Sequence, residues 1–230
     1  MSLPRKPVII TFDDGYRDVY THAFPVMKEF GLRGVIFVVG ERSMRTNEWD
    51  RGITPSYELL SNEEILEFHN AGFEIGAHSM HHVRLTDVQA IEAWEELYQA
   101  RVTTESLLNA PVHTFAYPYG LVNEEVKKMA LNAGYTVACA AFTGPPIFGT
   151  DLLEVRRIRI IDSQNPVVFW FQLQSVYLHY RFLWGQGKKL ALRLFRRLAG
   201  LFNHHPEFVQ NSDRLARTPR VHDVKSETRQ

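Results

Sequence analysis

The 230 residues suit one ordinary domain with an extension, and 45% apolar against 23% charged is the mixture of a globular chain rather than a disordered one. One cysteine, Cys139, excludes a disulfide framework, and no run of about 18 apolar residues is present to span a bilayer. Net charge is zero, but residues 1–154 carry 12 Lys/Arg against 21 Asp/Glu while residues 155–230 carry 14 against 5, so an acidic body precedes a basic extension.

In chain order, residues 7–12 (PVIITF) read as a buried strand and residues 20–31 (YTHAFPVMKEFG) as a helix closed by Gly31. Residues 34–40 (GVIFVVG) read as a second buried strand. The long, mixed loop 41–61 is expected to border or cover a site. Ser61 and Glu64 have capping-box spacing and open a helix over EEILEFHNAG. FEIGAHS is a third strand, and Thr86 to Gln89 start a capped helix that runs to Asn109. VHTFAYPYG is a strand entering a loop, and Asn123 caps EEVKKMALNAG. YTVACAAF and VRRIRI are two more strands, the first holding Cys139 as a buried structural thiol. Asn165 and Pro166 supply a cap and a first-turn proline before VVFWFQLQ.

This alternation of apolar strands with helices predicts a parallel sheet buried on both faces. About six units are too few for an eight-stranded barrel. A distorted, incomplete (β/α) barrel fits better than an open doubly wound sheet, although periodicity alone does not separate the two. Either fold puts its chemistry at the carboxyl ends of the strands. Asp13, Asp14, His78 and Tyr119 stand at such ends.

Two adjacent aspartates penalise each other's ionisation. Asp13 and Asp14 therefore bind a cation, pair with Arg or Lys, use one acid as a base, or cap the next helix. His78 and His82 are four apart, the spacing of one helical turn, which suits two imidazole ligands of one divalent ion. His81 points elsewhere, as a surface residue or a support for the ligands. One of the aspartates completes a three-ligand site with open positions, and the other stays free as a base.

TFDDGY, HSMHH and YPYG occur in that order and at strand ends. They resemble the first three motifs of the polysaccharide deacetylase family, the NodB-homology domain of carbohydrate esterase family four, and the resemblance covers residues 8–174. It implies a distorted, incomplete (β/α) barrel of the NodB-homology type over residues 1–180. It also implies a divalent ion, Zn2+ before Co2+ or Ni2+, and a carbohydrate substrate from which an N-acetyl group is hydrolysed. By position, Asp14, His78 and His82 would be the metal triad and Asp13 the general base. The backbone N–H of Tyr119 would help hold the oxyanion. The family's third motif commonly opens with an arginine that orients the base; Ala116 stands there in this chain, and Arg157 is the replacement we assign. The family's late Leu-x-His motif has no convincing copy. Leu178-His179 lacks the spacing, so no general acid is assigned, with water or His179 left to serve. Tyr117 and Pro118 would form a turn and a wall beside the substrate. Trp49, in the long loop, would touch a sugar, and Trp94 belongs to the core. The same machinery would serve a formamido sugar or a cyclic amide. Loss of the arginine and of the acid motif also leaves open a metal-bearing glycan-binding domain without activity.

Within GKKLALRLFRRLAGLF, Leu194, Phe195, Leu198, Leu201 and Phe202 share one helical face, and Lys189, Arg193, Arg196 and Arg197 the other. Residues 181–205 thus read as a basic amphipathic helix that docks on the acidic body or lies on anionic membrane, where a lipid-linked sugar would be met. No nucleic acid is expected, since no recognised module is present. Residues 206–230 are polar and read as a disordered tail. With no leader-like apolar stretch at its start, the chain is expected in the cytoplasm, peripheral at the inner face of the membrane.

Overall fold

The computed structural model describes residues 7–140, 151–160 and 165–172. Its frame is one six-stranded, all-parallel sheet with strands in sequence order. The strands are β1 (Ile10–Phe12), β2 (Gly34–Val38), β3 (Glu74–Ala77), β4 (Thr114–Ala116), β5 (Val137–Ala140) and β6 (Val155–Arg156). Between them run α1 (Phe24–Glu29), α2 (Asn62–Asn70), α3 (Ala90–Leu108) and α4 (Glu124–Asn132), with α5 (Pro166–Gln172) after β6. The sheet curls into an incomplete (β/α) barrel.

Alternation along the strands divides the core in two. Ile36, Val38, Ile75, Phe115, Tyr117 and Ala138 face the helices and merge with the apolar sides of α2 and α3. Phe37, Ala116 and Cys139 fill the inner face, with Val35 and Val155 against them. That interior is narrow. A Cβ on Gly76 would lie 2.5 Å from Phe37 Cδ1 and 2.7 Å from Thr114 Oγ1, so only glycine fits beside the phenyl ring.

The capping expectations hold at three helices. In α2 the Glu64 N–H donates to Ser61 Oγ at 3.2 Å while the Ser61 N–H donates to Glu64 Oε2 at 2.9 Å. Asn123 Oδ1 accepts from the Val126 N–H at 2.8 Å, and Asn165 Oδ1 from the Val167 N–H at 2.9 Å. Three expectations need correction. The first strand is an edge strand, paired only from Ile10, with Ile9 75% exposed. The first helix opens as a π-helical turn, Val19–Ala23, because Pro25 has no N–H to return to the preceding turn. The third helix starts at Ala90, since the Thr86 hydroxyl is used on Asp87 at 2.9 Å.

Leu178-His179, the basic segment 181–205 and the tail 206–230 lie outside the described residues. No helix among the described residues is long and apolar enough to cross a membrane.

Candidate metal centre and active site

After β1 the chain turns through Asp14 and Gly15, both left-handed (φ 70° and 71°). This turn puts the Asp14 carboxylate over the carboxyl end of β3. Asp14 Oδ1 lies 3.0 Å from His78 Nε2 and 3.1 Å from His82 Nε2, and one ligand atom from each residue lies within 4.8 Å of the others. The two histidines do not sit on a helical turn, as their spacing predicts. Residues 78–82 form a loop in which Ser79 (φ 59°) and His82 (φ 60°) are left-handed, and that reversal returns the second imidazole to the first. Both rings are buried.

Hydrogen bonding fixes the His78 tautomer. Its Nδ1 lies 2.7 Å from the Ala116 carbonyl, which only accepts, so Nδ1 carries the proton. Nε2 of neutral His78 then aims a lone pair at a carboxylate oxygen. Two acceptors 3.0 Å apart repel unless a proton or a cation lies between them, and two imidazoles with one carboxylate are a donor set for Zn2+ or a similar ion. These residues therefore fit a metal. Burial alone would raise the Asp14 carboxyl, but the hydrogen bonds and charges of His78 and His82 outweigh it and hold it well below the usual carboxylate range. For His78, burial opposes the charged form, yet Asp14 and Asp13 prevail and raise its pKa; for His82, burial prevails and lowers it.

Asp13 is held from the other end of the sheet. Arg157, just past β6, forks its carboxylate with Nη1 at 2.6 Å from Oδ1 and Nη2 at 2.7 Å from Oδ2, and Nη1 also reaches Thr11 Oγ1 at 2.9 Å. The guanidinium lies 5.5 Å over the Phe37 ring. Ala116, at the family's arginine position, packs against the same Phe37, so a small residue there leaves the space beside the ring to Arg157.

The rim is aromatic. Trp49 stacks on His82 (4.5 Å between centroids, 26°), and Tyr119 meets it edge-on (4.7 Å, 63°). Tyr119 is left-handed (φ 58°), 41% exposed, and covered by the Arg84 guanidinium at 4.7 Å. Tyr117 is the correction here. It is 1% exposed, packs on Phe115 and donates its hydroxyl to the Leu153 carbonyl at 2.8 Å, so its ring belongs to the core and not to a wall beside the substrate. Pro118 is buried as well, as the first residue of a 3-10 turn. Trp94 is half-buried against the core and stacks on Tyr98.

Three supporting residues escaped the sequence reading. Asn47 organises the long loop: its amide donates to Thr54 Oγ1 and the Pro55 carbonyl, and its oxygen accepts from the Tyr57 N–H. Nothing in the local sequence marks it. Tyr16 borders Asp14, and burial, then the Asp14 charge, raise its phenol pKa. Glu96 sits among the buried residues of α3, beside Ala93, Leu97 and Ala100. An acid on the apolar face of a helical pattern was its readable signal.

Residues 1–138 match the sequence model of a family described as Polysaccharide deacetylase. A Staphylococcus aureus protein named poly-beta-1,6-N-acetyl-D-glucosamine N-deacetylase is 26% identical over 159 residues, covering 62% of this chain and 51% of that protein. The chain spans about half the length of the curated relatives it matches. Among solved structures, the Streptococcus pyogenes deacetylase PplD in complex with acetate aligns with a TM-score of 0.64 at 23% identity, covering 75% of this chain and 73% of that one. IcaB from Ammonifex degensii aligns with a TM-score of 0.63 at 23% identity over 76% of each chain. At that identity the two structures speak for the fold.

Proposed function

Because this chain belongs to the polysaccharide deacetylase family, we propose that it is a metal-dependent hydrolase that removes N-acetyl groups from an amino sugar within a glycan. The observation that carries the reading is the pairing of two neighbours: Asp14 grouped with two imidazoles, and Asp13 forked by an arginine beside them. The amino-sugar substrate draws support from the name of the Staphylococcus aureus relative.

Asp14, His78 and His82 would hold the ion, and this donor set accepts Zn2+, Co2+ or Ni2+ alike. Such an ion would supply Lewis-acid chemistry, polarising the acetamido carbonyl and making water a better nucleophile near neutral pH. Asp13 accepts the proton of the attacking water, and the Arg157 fork keeps its carboxylate aimed. The backbone N–H of Tyr119 donates to the oxygen that gains charge as the carbonyl carbon becomes tetrahedral. Tyr119 stands in a left-handed turn, a strained region for a non-glycine residue, with its ring beside His82. The C–N bond then breaks, the amine takes up a proton, and acetate departs. Trp49 flanks the reacting group by lying flat on His82.

The test is acetate release from N-acetylglucosamine oligomers by the zinc-loaded protein. Release should stop on chelation, return with Zn2+, and fall at least about 10²-fold in Asp13→Asn while zinc stays bound. Release that persists in Asp13→Asn, or none from loaded protein, would count against the proposal.

A further inference from the structure

We infer that Glu96 is a positioning residue for the metal site, its carboxylate clamping from α3 the loop that carries His82. This rests on the metal-centre reading above and goes beyond it. The Glu96 side chain is only 8% exposed and sits on the core face of α3, where its neighbours Ala93, Leu97 and Ala100 are apolar. An apolar side chain would fill that place without the cost of burying a charge. Both carboxylate oxygens are directed at one residue. Oε2 accepts the His81 backbone N–H at 2.8 Å, and Oε1 lies 2.6 Å from His81 Nδ1.

The position of that grip matters. His81 immediately precedes His82, whose left-handed backbone is one that non-glycine residues keep only when their surroundings impose it. From the strand side, the loop is held by the Gly40 N–H on the Ser79 carbonyl and the Glu41 N–H on the Met80 carbonyl, both at 2.9 Å. Among the described residues, those backbone bonds end at Met80. Glu96 supplies the next one, from the opposite element, and fixes the peptide that leads into His82. Groups that hydrogen-bond an imidazole ligand directly are typically worth about 10–100-fold in metal affinity, and a clamp on the adjoining peptide acts on the same ligand geometry.

The experiment measures zinc dissociation constants by chelator competition on the full chain, with visible spectra of the cobalt-loaded protein and unfolding temperatures of the metal-free protein alongside. Glu96→Met, which fills the volume, should weaken zinc binding about 10–100-fold and shift the cobalt spectrum. Glu96→Gln keeps an oxygen for the His81 N–H and should restore most of the affinity; Glu96→Asp, one methylene short, should not. Should Glu96→Met fail to fold, the Asp and Gln variants decide alone. The clamp is overturned if Glu96→Asp binds zinc as the wild type does, or if Gln is no better than Asp. It is equally overturned if the substitutions lower only the metal-free unfolding temperature. Wild-type protein that binds no zinc overturns both the clamp and the metal reading, whereas failure of the clamp alone leaves the metal reading intact.

Discussion

Replacing Arg157 with Met removes the fork on Asp13 while keeping much of the side-chain volume beside Phe37. The pair is neither fully buried nor free, with side chains 20% and 35% exposed. Exposed ion pairs contribute about 0–1 kcal/mol and breaking a buried pair costs about 3–5 kcal/mol, so a loss of about 2 kcal/mol of stability follows for this intermediate case. In a chain of this size that lowers the unfolding temperature by about 4–8 °C. Activity should suffer more. A freed Asp13 can turn from the line of proton transfer, and a displacement of about 1 Å in a reacting group costs about 10²-fold. We expect kcat to fall by about that factor with zinc affinity unchanged, because Arg157 hydrogen-bonds Asp13 and Thr11 rather than a ligand. Arg157→Lys should fall between, keeping the charge but not the planar fork. The assay is steady-state acetate release paired with zinc titration at each variant. An undiminished kcat in Arg157→Met, or zinc affinity falling in step with kcat, refutes the reasoning.

Three other outcomes can be checked without substrate. Ser61→Ala removes the side-chain half of the α2 capping box and should cost about 1 kcal/mol in urea unfolding; an unmoved midpoint would contradict the assigned cap. Gly76→Ala puts a methyl group 2.5 Å from Phe37 Cδ1, and the forced shift should cost about 1–3 kcal/mol; wild-type stability would show the interior to be roomier than described. Burial pushes the Cys139 thiol up from 9.0 to about 11. The unfolded chain therefore releases this proton before the folded one does. The contribution is neutral below pH 9 and costs about 1.4 kcal/mol by pH 10, so stability falls as pH rises through that window. Cys139→Ala should flatten the decline, and parallel pH curves for the two proteins would rule this cause out.

What was legible in the sequence was whatever rests on side-chain type at a fixed period. Unbroken apolar runs gave the parallel strands, and Ser61, Asn123 and Asn165 stand where their caps were expected. The site residues came from the resemblance of TFDDGY, HSMHH and YPYG to family motifs and not from a period. Asp14, His78 and His82 converge, and Arg157 reaches Asp13 from the far edge of the sheet. What was hidden rests on the backbone. The left-handed Ser79 and His82 replace the helical turn, and no letter announces that the Ala116 carbonyl will orient His78. Tyr117 is different, because its burial was readable. Two residues after Phe115, it continues the helix-facing side of β4, and the pull of the YPYG motif obscured that alternation. Glu96 was likewise in view as a lone acid on an apolar helix face, but its target is a main-chain N–H.

The bond between Asp13 and Arg157 joins positions 144 apart, whereas Asp14, His78, His82 and the carbonyl that steers His78 lie between residues 14 and 116. On an emerging chain, the grouping proposed to hold an ion needs only the earlier part, and ion capture would help drive that part to fold. Asp13 gains its fork only after the sixth strand has been made and has docked. On the proposed reading, protein truncated in the interval would keep the Asp14, His78 and His82 grouping but lack the Arg157 fork, so metal content alone would be a poor measure of how much of a preparation is complete.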